Sequence, residues 1–70
     1  MQLDLGGRYV DGLGDHHTMV AWHPTHKWII VSDRGGLFEH DTGRSVTVDL
    51  DGGAWGGIPS NPQNLELAPR

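Results

Sequence analysis

Cysteine is absent from the 70 residues. Disulfides and thiolate metal sites are therefore excluded, and the composition fits a reducing compartment. A chain of this length makes one domain, residues 1–70. Such a domain buries only about 60% of the surface that its unfolded chain exposes. Without disulfides it has to rely on tight packing, a His/carboxylate metal site or self-association. Positive charge is scarce too. Five Lys/Arg stand against nine Asp/Glu, for a net charge of −4, which argues against a general nucleic-acid binder. Long apolar runs are missing. None is longer than Trp28 to Val31, which is far too short to cross a bilayer. Met1 to Gly6 has neither the basic nor the apolar stretch of a signal peptide, so a soluble cytoplasmic protein is expected. Helical periodicity is also lacking. Eleven glycines and four prolines cut every candidate apolar helical stripe.

What is present is a succession of short β-branched and aromatic runs separated by turn residues. Arg8-Tyr9-Val10 and Thr18 to Trp22 read as strands around the turn-rich Asp11 to Asp15. Trp28 to Val31 is apolar on both faces, as in a central strand or one covered by a partner. Leu37 to His40 lies between two hairpin turns, Asp33-Arg34-Gly35-Gly36 and Asp41-Thr42-Gly43, the second with Gly43 in the left-handed position. Arg44 to Leu50 alternates strictly, with Val46, Val48 and Leu50 on one face. Leu65 to Leu67 is a short closing strand. The expected fold is all-β: a small antiparallel barrel or roll of five or six short strands, SH3-like. Its expected core is Tyr9, Val10, Val20, Trp22, Ile29, Val31, Phe38, Val46, Val48, Leu50 and Leu65. Asp51 to Asn64 is expected to be a glycine- and proline-rich loop without a strand, and loops of that length are usually functional or disordered.

Five histidines offer metal ligands. His23 and His26, in one turn, are the candidate pair, and Asp15-His16-His17 is a second group. No zinc-protease or deaminase spacing is present, so no metal or cofactor is expected. Ser32-Asp33 near a histidine suggests a catalytic triad, but there is no nucleophile elbow, and no enzyme activity is expected. The glycine pairs at 35–36, 52–53 and 56–57 can form anion nests, though hairpin glycines explain them as well. Three tryptophans are many for 70 residues. Trp22 and Trp28 flank the His23–Lys27 turn and should approach each other, one of them in the core. Trp55, among glycines, is either a plug over the open end of the barrel or an anchor for a partner.

Gly7-Arg8-Tyr9-Val10, the tryptophan-bearing central strand, Leu37-Phe38-Glu39-His40-Asp41-Thr42-Gly43-Arg44 and Pro62-Gln63-Asn64-Leu65-Glu66-Leu67 together resemble a class of small phage-encoded all-β proteins. These proteins carry a Gly-x-Arg-Tyr-Val, Asp-Gly-Arg and Pro-x-Asp-Leu pattern. The chain departs from it at Thr42 and at Asn64-Leu65-Glu66. Val20 to Gly43 also resembles, more weakly, one blade of a WD-repeat propeller. The phage resemblance implies a non-enzymatic binding protein that antagonises a bacterial immune or host pathway. It would do so by occluding a host protein or by sequestering an anionic nucleotide. The nucleotide version needs cations and a stacking plate, for which Arg8, Lys27, Arg34 and Arg44 with Trp28 or Trp55 are the candidates, at the interface of a homo-oligomer. A phage structural or assembly module is the alternative, and a His-metal hydrolase the third reading.

Overall fold

The computed structural model describes residues 2–67. The chain is all-β: β1 Arg8–Asp11, β2 His16–Trp22, β3 Ile29–Ser32, β4 Leu37–Glu39, β5 Val46–Val48, β6 Ala54–Gly56 and β7 Leu65–Leu67. Five strands form a curled antiparallel half-barrel in the order β4-β3-β2-β1-β7, and β5 and β6 form a separate hairpin. The architecture is the expected small barrel or roll, with one strand more than expected. β6 lies inside the segment read as strandless, where Ala-Trp-Gly carries little β-propensity of its own.

The turns are set by side-chain acceptors. Asp11 Oδ1 accepts the N–H groups of Leu13 and Asp15, both at 2.9 Å, and so shapes the β1–β2 turn. His23 Nδ1 accepts from Thr25 and His26 in the β2–β3 turn. Asp49 Oδ1 accepts from Asp51 and Gly53 in the β5–β6 turn. Gly35 and Gly43 both sit at φ +80°, a conformation that costs glycine nothing and that the two expected hairpin turns require.

The half-barrel has two edges, and residues 43–45 join them. Ser45 bridges Phe38, and Glu39 N–H donates to Arg44 O at 2.8 Å on the β4 side. On the β7 side, Leu65 N–H donates to Gly43 O at 2.8 Å, and Ser45 N–H donates to the Asn64 side chain. Some of the edge groups of β4 and β7 that would otherwise template aggregation are thereby used within the chain.

The core is a cluster of Leu3, Tyr9, Met19, Ile30, Phe38 and Leu65, with Ile29 and Val46 also buried. Several expected core positions are elsewhere. Val20, Trp22 and Leu50 are exposed, and Val10, Val31 and Val48 are half-buried. Val20 faces outward because the inward positions of β2 are His17 and Met19, and a bulge follows Met19. Met19 pairs with Ser32 and Ala21 with Val31, so Val20 has no partner. The extra residue interrupts the alternation of β2 beyond Met19. Leu50 is not in a strand; it lies in the β5–β6 turn. Ile29 and Ile30 are adjacent and both fully buried, so the chain itself covers both faces of β3. That strand therefore gives no argument for self-association.

Candidate functional site

Three buried polar residues meet on neighbouring strands. His17 on β2 lies opposite Tyr9 on β1, and its ring reaches Asp11 at one nitrogen and Ser32 at the other. Nε2 is 3.0 Å from Asp11 Oδ2 and Nδ1 is 2.9 Å from Ser32 Oγ. A carboxylate only accepts, so the Nε2 proton points at Asp11. In the neutral ring Nδ1 then accepts the Ser32 hydroxyl proton. Ser32 Oγ in turn accepts Gly36 N–H at 3.0 Å. Phe38 meets the imidazole edge-on, with centroids 5.1 Å apart. Burial pushes the Asp11 carboxyl up. The hydrogen bond from His17, those from Asp15 and Leu13 N–H, and the attraction of His17 outweigh it and hold the group below its ordinary 3.8. Among the described residues no buried side-chain polar atom lacks a partner.

Asp11 and His17 also form the floor of an open cleft of about 460 Å³, between the β1–β2 and β3–β4 turns on one side and β5 on the other. Phe38 and Val46 give it apolar wall, and Asp15 and Arg34 stand at its rim. Arg34 lies 3.8 Å from Asp15, with both side chains about half exposed, so the pair is worth little. Ser32 does not line the cleft, and the residue is only 2% exposed. The serine that suggested a triad with its neighbour Asp33 is instead in line with His17 and Asp11, and its hydroxyl is sealed from the cleft. The arrangement ties β1, β2 and β3 together at one end of the barrel. Sequence reasoning noticed Ser32 and His17 but missed Asp11 as their partner, because only the strand register brings the three together.

A second surface lies at the opposite end of β2 and β3. Trp22 meets His40 edge-on at 5.5 Å, and His26 meets Trp28 at 6.1 Å. His40 N–H donates to Trp28 O at 3.1 Å, which joins the two pairs. His26 Nε2 bonds Gly52 O at 2.8 Å and fixes this turn against the β5–β6 hairpin. Neither Trp22 nor Trp28 is in the core: they are 42% and 38% exposed. Trp55, at 53% exposure, is no plug; it stands on β6 across from Thr47, which lines the cleft.

The candidate cations do not converge. Arg34 is at the cleft rim, while Lys27 precedes Trp28 beyond the other end of β3. Arg8 is exposed on β1 opposite Thr18. Arg44 is committed to the fold, its Nη1 donating to Gly57 O at 3.0 Å. The histidines of the β2–β3 turn are poor chelators. Nδ1 of His23 receives two backbone N–H groups, so its proton sits on Nε2. Nε2 of His26 must carry a proton to bond a carbonyl. One free lone pair remains between the two rings. Among the described residues no group of three metal-ligating side chains occurs. Adding a chelator should therefore leave the melting temperature unchanged, and a chelator-dependent drop in a thermal melt would show that this hydrogen bonding does not persist in solution.

A comparison of the chain with protein-family models, with curated proteins and with solved structures found no match. Among the described residues no helix is long and apolar enough to cross a membrane.

Proposed function

We propose that this chain is a non-enzymatic binding protein that docks on a protein partner through the Trp22–Trp28 surface. The observation that carries this is that all three tryptophans stand at the surface, although the core of so small a domain has most use for them. Indole rings are the commonest anchors of protein interfaces. Those of Trp22 and Trp28 are held in place by His40, His26 and the cap at His23, so little ordering remains to be done on binding. The resemblance to small phage-encoded β proteins supplies the setting, antagonism of a bacterial host pathway by occluding a host protein. Two features favour a protein over a nucleotide. The cations are scattered, and the cleft that holds Arg34 also holds the carboxylates of Asp11 and Asp15, which repel phosphate. The sealed hydroxyl of Ser32 supports a non-catalytic reading.

The test is retention of partners from a bacterial extract on the immobilised protein, identified by native mass spectrometry. Trp28→Ala should weaken retention by roughly thirtyfold, as for an interface anchor worth about 2 kcal/mol, with the circular dichroism spectrum unchanged. Equal retention by Trp28→Ala and Trp22→Ala would overturn the assignment. A bound nucleotide released by Arg34→Ala would move the site to the cleft.

A further inference from the structure

The β5–β6 hairpin ends in an edge that the rest of the chain leaves open. Among the described residues no backbone hydrogen bond reaches β6 from any segment except β5. The direction of its free groups follows from the turn. Asp49 N–H donates to Gly53 O at 2.8 Å, Gly52 N–H donates to Asp49 O at 3.1 Å, and Gly52 lies at φ +84°. This is a turn with a glycine bulge that makes Asp49 and Gly53 a hydrogen-bonded pair. Bonded and non-bonded pairs alternate along an antiparallel ladder. Thr47 and Trp55 therefore bond to each other, whereas Ala54 and Gly56, opposite Val48 and Val46, point their N–H and C=O groups outward.

We propose that this edge pairs with β6 of a second copy of the chain, antiparallel about a two-fold axis through Trp55. The register is self-complementary. Ala54 of each copy exchanges both of its outward hydrogen bonds with Gly56 of the other, and the two Trp55 residues meet as a non-bonded pair with Cα atoms about 4.5 Å apart. Such a pair brings the indole rings together on one face. The two hairpins join into one four-stranded sheet, which is the isologous contact of a two-fold dimer.

Three features favour a second copy as the occupant. No residue from Gly52 to Ile58 is charged, so a chain of net charge −4 meets no repulsion along this edge. In this register Asp51 of one copy falls opposite Pro59 of the other, so the turn aspartates do not face each other. Exposed edges are ordinarily blunted by a lysine, a proline or an outward bulge, and none interrupts Ala54 to Gly56. Trp55 and Ile58, 53% and 55% exposed, supply apolar area beside the joint. The pairing itself uses β6 and neither Trp22 nor Trp28.

Sedimentation equilibrium on the full chain tests this, together with hydrogen exchange of the Ala54 and Gly56 amides. The wild type should form a concentration-dependent dimer in the high-micromolar range, and both amides should slow as it forms. Trp55→Lys places a charge against its own copy, and Ala54→Pro removes an outward N–H that the hairpin does not use. Each should weaken dimerisation by roughly tenfold or more. Trp55 is a surface residue, so Trp55→Lys keeps the test valid even where Ala54→Pro perturbs the hairpin. Trp28→Ala should dimerise normally. A monomeric wild type at these concentrations overturns the proposal, as does a dimer that survives Trp55→Lys or dissociates with Trp28→Ala.

Discussion

Replacing His17 by alanine should cost about 3–5 kcal/mol and lower the melting temperature by roughly 15 °C or more, at about 4–8 °C per kcal/mol for a domain of this size. A chain of 70 residues is held by roughly 4–10 kcal/mol in all, so the variant will be close to unfolded. The size of the effect comes from what is left behind. Asp11 Oδ2 loses its charge-assisted donor and Ser32 Oγ loses the acceptor of its proton. The side chains of His17 and Asp11 are only 8% and 6% exposed, so water does not readily replace either partner. The edge contact with Phe38 and the volume of the ring go as well. Ser32→Ala should be milder, about 1–3 kcal/mol, because Asp11 and His17 remain paired. The double variant should cost less than the sum of the two, since both act on one network. Thermal melts followed by circular dichroism measure all three, and a His17→Ala loss below about 1 kcal/mol would show that the network does not hold the strands.

The same network sets the acid limit. The Asp11 carboxyl has its ordinary 3.8 in the unfolded chain and a lower value in the fold. Its contribution to stability is therefore complete above 3.8 and is lost only as the pH falls through the folded value. The acid arm of the stability curve should be flatter in Asp11→Asn than in the wild type, and the difference should be confined to pH below about 4.

Much of this fold is legible in the sequence because turn chemistry is local. Asp11, Gly35 and Gly43 mark three of its turns, and each acts within a few residues of itself; Asp49, read as part of a strand, shapes a fourth. What could not be read is non-local. The bulge at Val20 exists because Met19 and Ala21 pair with consecutive residues of β3, and no pattern within β2 announces it. Leu3 belongs to no strand; it is held by its N–H on His40 O at 2.6 Å and is nevertheless fully in the core. β6 follows from its ladder with β5, against the low propensity of glycine. The site shows the same division. The exposure of Trp55 agrees with its glycine-rich surroundings, whereas Asp11, His17 and Ser32 are spread over three strands, and their alignment is a consequence of register alone.

That division can be tested on the core itself. Ile30→Ala should cost about 2–5 kcal/mol, as truncation of a buried isoleucine does. Ile30 is 0% exposed, sits between Trp22 and Phe38 in the ladder, and shares its cluster with Leu3, Tyr9 and Met19, so a cavity there cannot close without moving several strands. Leu3→Ala should fall in the same range although no strand pattern includes it. Leu50→Ala and Val20→Ala should stay within about 0.5 kcal/mol of the wild type, because these side chains are 107% and 55% exposed. A β5 that alternates through Leu50 and a β2 with Val20 on its inward face would demand the reverse order. Chemical denaturation of the four variants separates the two outcomes. A Leu50→Ala loss as large as that of Ile30→Ala would mean that β5 runs on through Leu50 into the core, and that the turn capped by Asp49 does not form.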